Sequence, residues 1–167
     1  MVLGTTAAIF SALLVATGLA KVVKPHDTAR AIRAMGPQVK DNAARLLGLA
    51  EITIGVSVLA TRSAPAYIAQ GVMYLSFLVW IVAALRRSVP VASCGCLGTP
   101  DTPPYWGHIV VNVVAVASSV GAGLEVAGGA STAGSTGLLG LVVSLVGAAL
   151  AWMVIGEGAR LAGVRSP

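Results

Sequence analysis

The chain runs apolar and almost uncharged for about 20 residues at a time, several times over, and a stretch of that length crosses a hydrocarbon core roughly 30 Å thick. Five such spans are expected: 2–23, 43–60, 65–85, 105–126 and 137–156. The fold class that follows is all-α, an integral membrane helical bundle forming a single domain over 1–167. Composition agrees, because 56% of the 167 residues are apolar and only 10% are charged, more apolar surface than a soluble domain can hide. The formal net charge of +5 raises the question of nucleic acid. The basic residues stand at the ends of apolar segments, however, and make no separate patch, so nucleic acid is excluded as a partner and the lipid bilayer is the expected one.

The first span resembles a signal peptide only superficially. A signal peptide carries its positive charge before the apolar run, whereas Lys21 and Lys24 follow it here, so the segment is expected to stay as a helix. Basic residues in short loops favour the cytoplasmic side. With five spans and the N-terminus outside, ten of the eleven Lys and Arg side chains fall inside and only Arg62 outside. That assignment describes a multi-pass protein of the inner (plasma) membrane, with the loop between the third and fourth spans and the C-terminus in the cytoplasm.

Between the first two spans, Pro25 reads as a helix start and Gly36 with Pro37 as a stop. Ile32 and Met35 fall on one side and Arg30 and Arg33 on another, which predicts a short interfacial helix. Small residues at four-residue spacing mark packing faces: Ala8, Ala12, Ala16 and Ala20 in the first span, Ala115, Ser119 and Gly123 in the fourth, Gly140, Ser144 and Ala148 in the fifth. The segment "AGGASTAGSTG" before the fifth span reads as a flexible outer loop.

Ionisable residues inside spans are costly enough to need a reason. Glu51 lies three residues after Gly48 and four before Gly55, so the three share one helical face and the carboxyl group should point into the bundle. Counted from Arg45, Glu51 is about 9 Å deep, and Asn112, counted from Trp106, is about as deep from the same side. Lys21 ends the first span there and His108 opens the fourth. Lys21 reads first as a snorkelling anchor and secondly as a partner for Glu51. Asn112 and His108 read equally as polar packing residues and as members of a site, and Tyr105 and Trp106 as interfacial aromatics.

The only two cysteines, Cys94 and Cys96, lie in the loop "SVPVASCGCLGTPDTPP" with Gly95 between them. Three chemistries fit. The pair can alternate between dithiol and disulfide, with Gly95 relieving a tight ring and the resulting strained disulfide being comparatively oxidising. It can bind a soft metal such as Cu(I) or Zn, for which two sulfurs are half a tetrahedral set and His108 would have to help. Or the two thiols can be a coincidence of a packed loop. No motif is specific for a quinone, so no cofactor is assigned, and no metal site either.

Several segments together resemble one family. "TGLAKVVKPHDTARAIRAMG", "LLGLAEITIGVSVL", "CGCLG" and "YWGHIVVNVV" are similar to the Gly-x-x-Lys ending of the first span, the second span with its embedded Glu, the Cys-Gly-Cys-Phe-Gly loop and the aromatic-to-Asn start of the next span in MauE methylamine-utilisation membrane proteins, relatives of the DoxX-like proteins. Leu97 stands where the family usually has Phe, and Val111 where a basic residue often precedes the Asn. The resemblance implies a role in maturing methylamine dehydrogenase, whose small subunit is rich in disulfides, beside a thioredoxin-like partner. By that likeness Cys94 and Cys96 are the redox pair and Glu51 is a residue of the family pattern; the residues themselves add Glu51 and His108 as the other catalytic candidates, tuning proton movement near the thiols, with Lys21, Gly95 and Asn112 in support. Maturation outside the cell would want outward-facing thiols, while the charge count faces them inward, so either a relay of thiol equivalents from the cytoplasm or a flexible loop reaching the bundle interior is expected.

Overall fold

A computed structural model describes residues 2–86 and 106–129. The expected fifth span, the linker before it, the Gly140, Ser144 and Ala148 ladder, and Cys94, Gly95 and Cys96 lie outside the described residues. The described chain is helical: α1 (Val2–Val23), α2 (Pro25–Ala34), α3 (Asp41–Thr61), α4 (Ala64–Arg86) and α5 (Trp106–Ala127). All but α2 are long and apolar enough to cross a membrane.

The breaks between helices follow from local chemistry. Pro25 occupies the first turn of α2, where its missing N–H has no helical acceptor to lose. Asp27 in the first turn and Arg33 in the last complement the helix dipole. The helix stops at Gly36, whose φ of +113° lies in the left-handed region open to glycine. The α2–α3 connection is tied down by Arg33, which donates to the Val39 carbonyl at 2.9 Å, and by Asp41, 2.6 Å from His26 Nδ1. At the far end Arg62 closes α3 in the left-handed region, its N–H donating to Val58 O at 3.0 Å, and α4 begins two residues later.

The four long helices form a square. α1 packs most closely on α3 and α4 on α5, with α1 also touching α5 and α3 touching α4, so α1 and α4 occupy one diagonal and α3 and α5 the other. The short α3–α4 turn and the α1–α2–α3 reversal bring the end of α1, the start of α3, the end of α4 and the start of α5 to one end of the bundle. That end carries Lys21. Helix α2 lies across it, with Pro25, Thr28, Ala29 and Ala31 buried and Arg30 exposed, and Ala31 packs with Ala84 of α4 beside Met35 and Trp80. Ile32 and Met35 are half-buried, so the smallest side chains of α2 make its inner face.

Burial is inverted relative to a soluble protein. Leu46, Leu49, Val56, Val72, Leu75, Val79, Val110 and Leu124 are exposed around the outside, where lipid solvates them. Ser11, Thr17, Lys21, Glu51, Gln70, His108, Asn112, Ser118 and Ser119 are buried inside.

The α1–α3 contact is close enough to touch backbone to backbone. A Cβ on Gly18 would lie 2.6 Å from the carbonyl oxygen of Gly48, one on Gly48 would lie 2.6 Å from that of Gly18, and one on Gly55 would lie 2.7 Å from Ser11 O. The seam on α1 therefore runs through Ser11, Val15, Gly18 and Lys21, and not along the expected alanine ladder: Ala8 and Ala12 are buried, but Ala16 is exposed and Ala20 half-exposed. Four-residue spacing drifts around a helix of 3.6 residues per turn, so a ladder of four cannot stay on one contact line. On α5 the shorter ladder of Ala115, Ser119 and Gly123 is buried throughout.

Gly48→Val is expected to destabilise the bundle by about 1–3 kcal/mol through overpacking against α1. Leu49→Ala on the lipid face is expected to leave the melting temperature in detergent nearly unchanged, and equal losses for the two variants would contradict the seam.

Candidate functional site

At the Lys21 end the buried polar residues converge on one ion pair. Lys21 Nζ lies 2.9 Å from Glu51 Oε2, and the two side chains are 2% and 0% exposed. The snorkelling reading of Lys21 is thereby corrected. Its ammonium turns inward because the carboxylate of Glu51 waits one helix away, and leaving that carboxylate alone in a lipid-excluded core would cost more than burying the lysine. The glycine seam makes the meeting possible, since only a Gly18–Gly48 crossing brings α1 and α3 near enough for the side chains one turn further on to touch.

Two further groups complete the surroundings of the pair. Thr17, one turn before Lys21, offers its hydroxyl proton to Glu51 Oε2 at 3.0 Å and to Leu14 O at 3.1 Å, sharing a single hydrogen between two acceptors. The Lys21 ammonium also stands 5.6 Å from the centre of the Phe77 ring, within reach of its negative face. The pair thus touches α1, α3 and α4.

A second polar layer lies deeper. Gln70 Nε2 donates to Ala7 O at 3.0 Å, its Oε1 accepts from Ser11 Oγ at 2.8 Å, and Tyr74 donates its phenolic hydrogen to Phe10 O at 2.7 Å. These bonds span the α1–α4 diagonal and set the depth of α4 against α1.

His108 and Asn112 are both buried on α5, with Asn112 Nδ2 donating to His108 O at 2.7 Å. They belong to the same end of the bundle as the ion pair, although no hydrogen bond joins Glu51 directly to Asn112 among the described residues. Trp106 is 70% exposed at the start of α5, where an interfacial aromatic belongs. Among the described residues no three His, Cys, Asp or Glu side chains come together. The structure therefore joins Lys21 to Glu51 and buries His108 and Asn112 nearby; Cys94, Gly95 and Cys96 lie outside the described residues.

Thr17, Phe77, Gln70 and Tyr74 are the contributors that the sequence reading passed over. Thr17 carried a signal, being four residues before Lys21 and so on the same helical face. Phe77 carried none, since one more aromatic in an apolar span looks like any other.

Comparison with known proteins bears on the same segments. The family profile described as "Methylamine utilisation protein MauE" matches residues 1–125, which include α1 to α4 and all but the last residues of α5. The chain belongs to the MauE family. No curated protein and no solved structure matches it significantly. The MauE assignment makes this a membrane protein of a methylamine-utilisation family, and its four long apolar helices make it a multi-pass one. The matched residues hold the ion pair, the glycine seam, the buried His108 and Asn112, and the loop with its two cysteines.

Lys21→Met is expected to destabilise the folded bundle by about 3–5 kcal/mol, because it leaves Glu51 buried without its cation. Adding Glu51→Leu to that variant is expected to restore much of the loss, a non-additivity that thermal unfolding of the two single variants and the double variant measures. Additive losses would show that the two side chains do not depend on one another.

Proposed function

We propose that this MauE-family protein supports thiol–disulfide chemistry on a partner, through Cys94 and Cys96. The observation that carries the reading is topological. The loop holding the two thiols connects Arg86, the last residue of α4, to Trp106, the first of α5, and both lie at the end of the bundle where Lys21 meets Glu51 and His108 is buried. The chain's whole supply of thiols is thus tethered over its ionisable cluster.

The exchange runs through a mixed disulfide. A client thiolate attacks one sulfur of the Cys94–Cys96 disulfide, forming a client–protein bond and releasing the other cysteine as thiolate. A second client thiolate then attacks the mixed disulfide, forming the client disulfide and leaving both loop cysteines reduced. Two electrons and two protons pass from client to loop. A thioredoxin-like partner whose disulfide is more oxidising than the loop's restores it: one loop thiolate attacks the partner disulfide, and the other then attacks the mixed disulfide and releases the partner as a dithiol. A strained Cys-Gly-Cys disulfide would be comparatively oxidising, which supports oxidation of the client in this reading. Glu51 and His108 serve in this reading as groups that tune proton movement near the thiols, with Lys21 and Asn112 holding them in place and Gly95 relieving the ring. By family likeness the client is a disulfide-rich subunit of methylamine dehydrogenase. The charge count favours a cytoplasmic loop in the inner membrane, from which thiol equivalents would be relayed.

Cys94→Ser and Cys96→Ser are each expected to abolish oxidation of a reduced client while leaving membrane insertion intact, and oxidation retained in both single variants would sink the redox reading. Copper or zinc bound stoichiometrically to the purified protein, and lost in the same variants, would move the assignment to thiolate metal binding. Labelling with a membrane-impermeant maleimide decides the side: modification only after lysis and reduction is expected, whereas labelling of reduced intact cells would face the pair outward.

A further inference from the structure

Three buried side-chain atoms, Glu51 Oε1, Trp80 Nε1 and Asn112 Oδ1, have no hydrogen-bond partner among the described residues. Each such atom costs about 1–3 kcal/mol if left unsatisfied, and native interiors satisfy nearly all of them. Glu51 is fully buried and Asn112 is 6% exposed, so neither reaches solvent or lipid headgroups to make good the loss.

The three atoms come from three helices, and Trp80 packs beside Met35 against Ala31 and Ala84 at the α2 contact, while the packing register places Glu51 and Asn112 at a similar depth. Gly71 of α4 rests on Ser119 and Val120 of α5, and Gly123 rests on Tyr67 and Ile68, so the helices run antiparallel. Carried one residue for one residue, that register brings Trp80 level with about Val110 and Val111, within roughly one turn of Asn112. On the other side, Gly48 on Gly18 and Gly55 on Ser11 set Glu51 level with about Val15 of α1. The bonds Gln70–Ser11 and Tyr74–Phe10, with Lys21 over Phe77, put that level of α1 opposite the stretch of α4 from Tyr74 to Trp80. With α3 and α5 on opposite corners of the square, Glu51 and Asn112 approach the bundle axis from two sides at a similar depth.

Two buried acceptors, Glu51 Oε1 and Asn112 Oδ1, are the complement of a water molecule, which has two hydrogens to give. A cation in the same place would add a second positive charge beside a carboxylate already neutralised by Lys21, an expensive excess in a lipid-excluded core. A small neutral donor is what fits.

We propose that the bundle holds an internal water, or a short file of waters, bridging Glu51 Oε1 and Asn112 Oδ1. The site goes beyond the thiol reading and does not rest on it. It gives the second oxygen of Glu51 its partner, and it makes a carboxyl group sealed from solvent able to exchange protons.

Water-edited solid-state NMR on the full-length, ¹³C-labelled protein in lipid vesicles tests this directly, with Glu51→Gln identifying the Glu51 carboxyl signal. Magnetisation is expected to pass from water to that carbon within milliseconds, well above the transfer to the buried Ala115 carbonyl. Asn112→Leu is expected to lower the Glu51 transfer by roughly twofold or more while leaving that of Glu125 unchanged. Asn112→Val, a smaller replacement that also removes the acceptor, is expected to lower it to a similar extent and serves if the leucine variant fails to insert. A Glu51 transfer no higher than that of Ala115 overturns the site, and unchanged transfer in the variants that fold overturns the bridge.

Discussion

Everything at one end of this bundle depends on an ion pair buried away from bulk solvent. Lys21 and Glu51 meet at 2.9 Å with both side chains buried. Taking two charges out of water costs several kcal/mol per ion, which only close contact and added hydrogen bonds offset. Both requirements are visible. Thr17 donates to the carboxylate and Phe77 lies under the ammonium, while the Gly18–Gly48 crossing brings the two backbones to touching distance. Any side chain at either glycine would push α1 from α3 and pull the ions apart, so a steric feature on one turn sets the electrostatics of the next.

The same inversion runs along the axis. Lipid removes the difference between burying and exposing an apolar side chain, so leucines and valines on the outer faces contribute little to holding helices together. Polar groups and small residues do that instead. Gln70, Ser11 and Tyr74 join α1 to α4 across a diagonal that their backbones do not close, and glycines close the sides. The bundle is stitched by hydrogen bonds at two levels, of which the one nearer the Lys21 end is ionic.

This division of labour gives the thiol loop a particular setting. A pair of cysteines has ordinary thiol chemistry until something nearby moves protons or fixes geometry. Arg86 and Trp106 anchor the loop over the end where a buried carboxylate, an ammonium and a histidine collect. The family match covers both the loop and that cluster.

The helical membrane fold was legible in the sequence because length, lack of charge and uniform apolarity are properties of a segment and need no partner. Pro25 and Gly36 bounded α2 for the same local reason, and Glu51 between Gly48 and Gly55 announced its own inward face. Other features depend on pairs of segments. The alanine ladder of α1 was misread because which of several small-residue lines becomes the contact is decided by the partner helix, and α3 selects the line through Gly18. Lys21 was read as a surface anchor because an isolated helix end places a lysine at the interface, and only the neighbouring Glu51 draws it in. By itself the sequence determined which residues are helical, which are too polar for lipid and which carry thiols. Tertiary structure alone decided which polar residues meet, because contact across a bundle depends on the angle and depth at which helices cross, and no one helix encodes those.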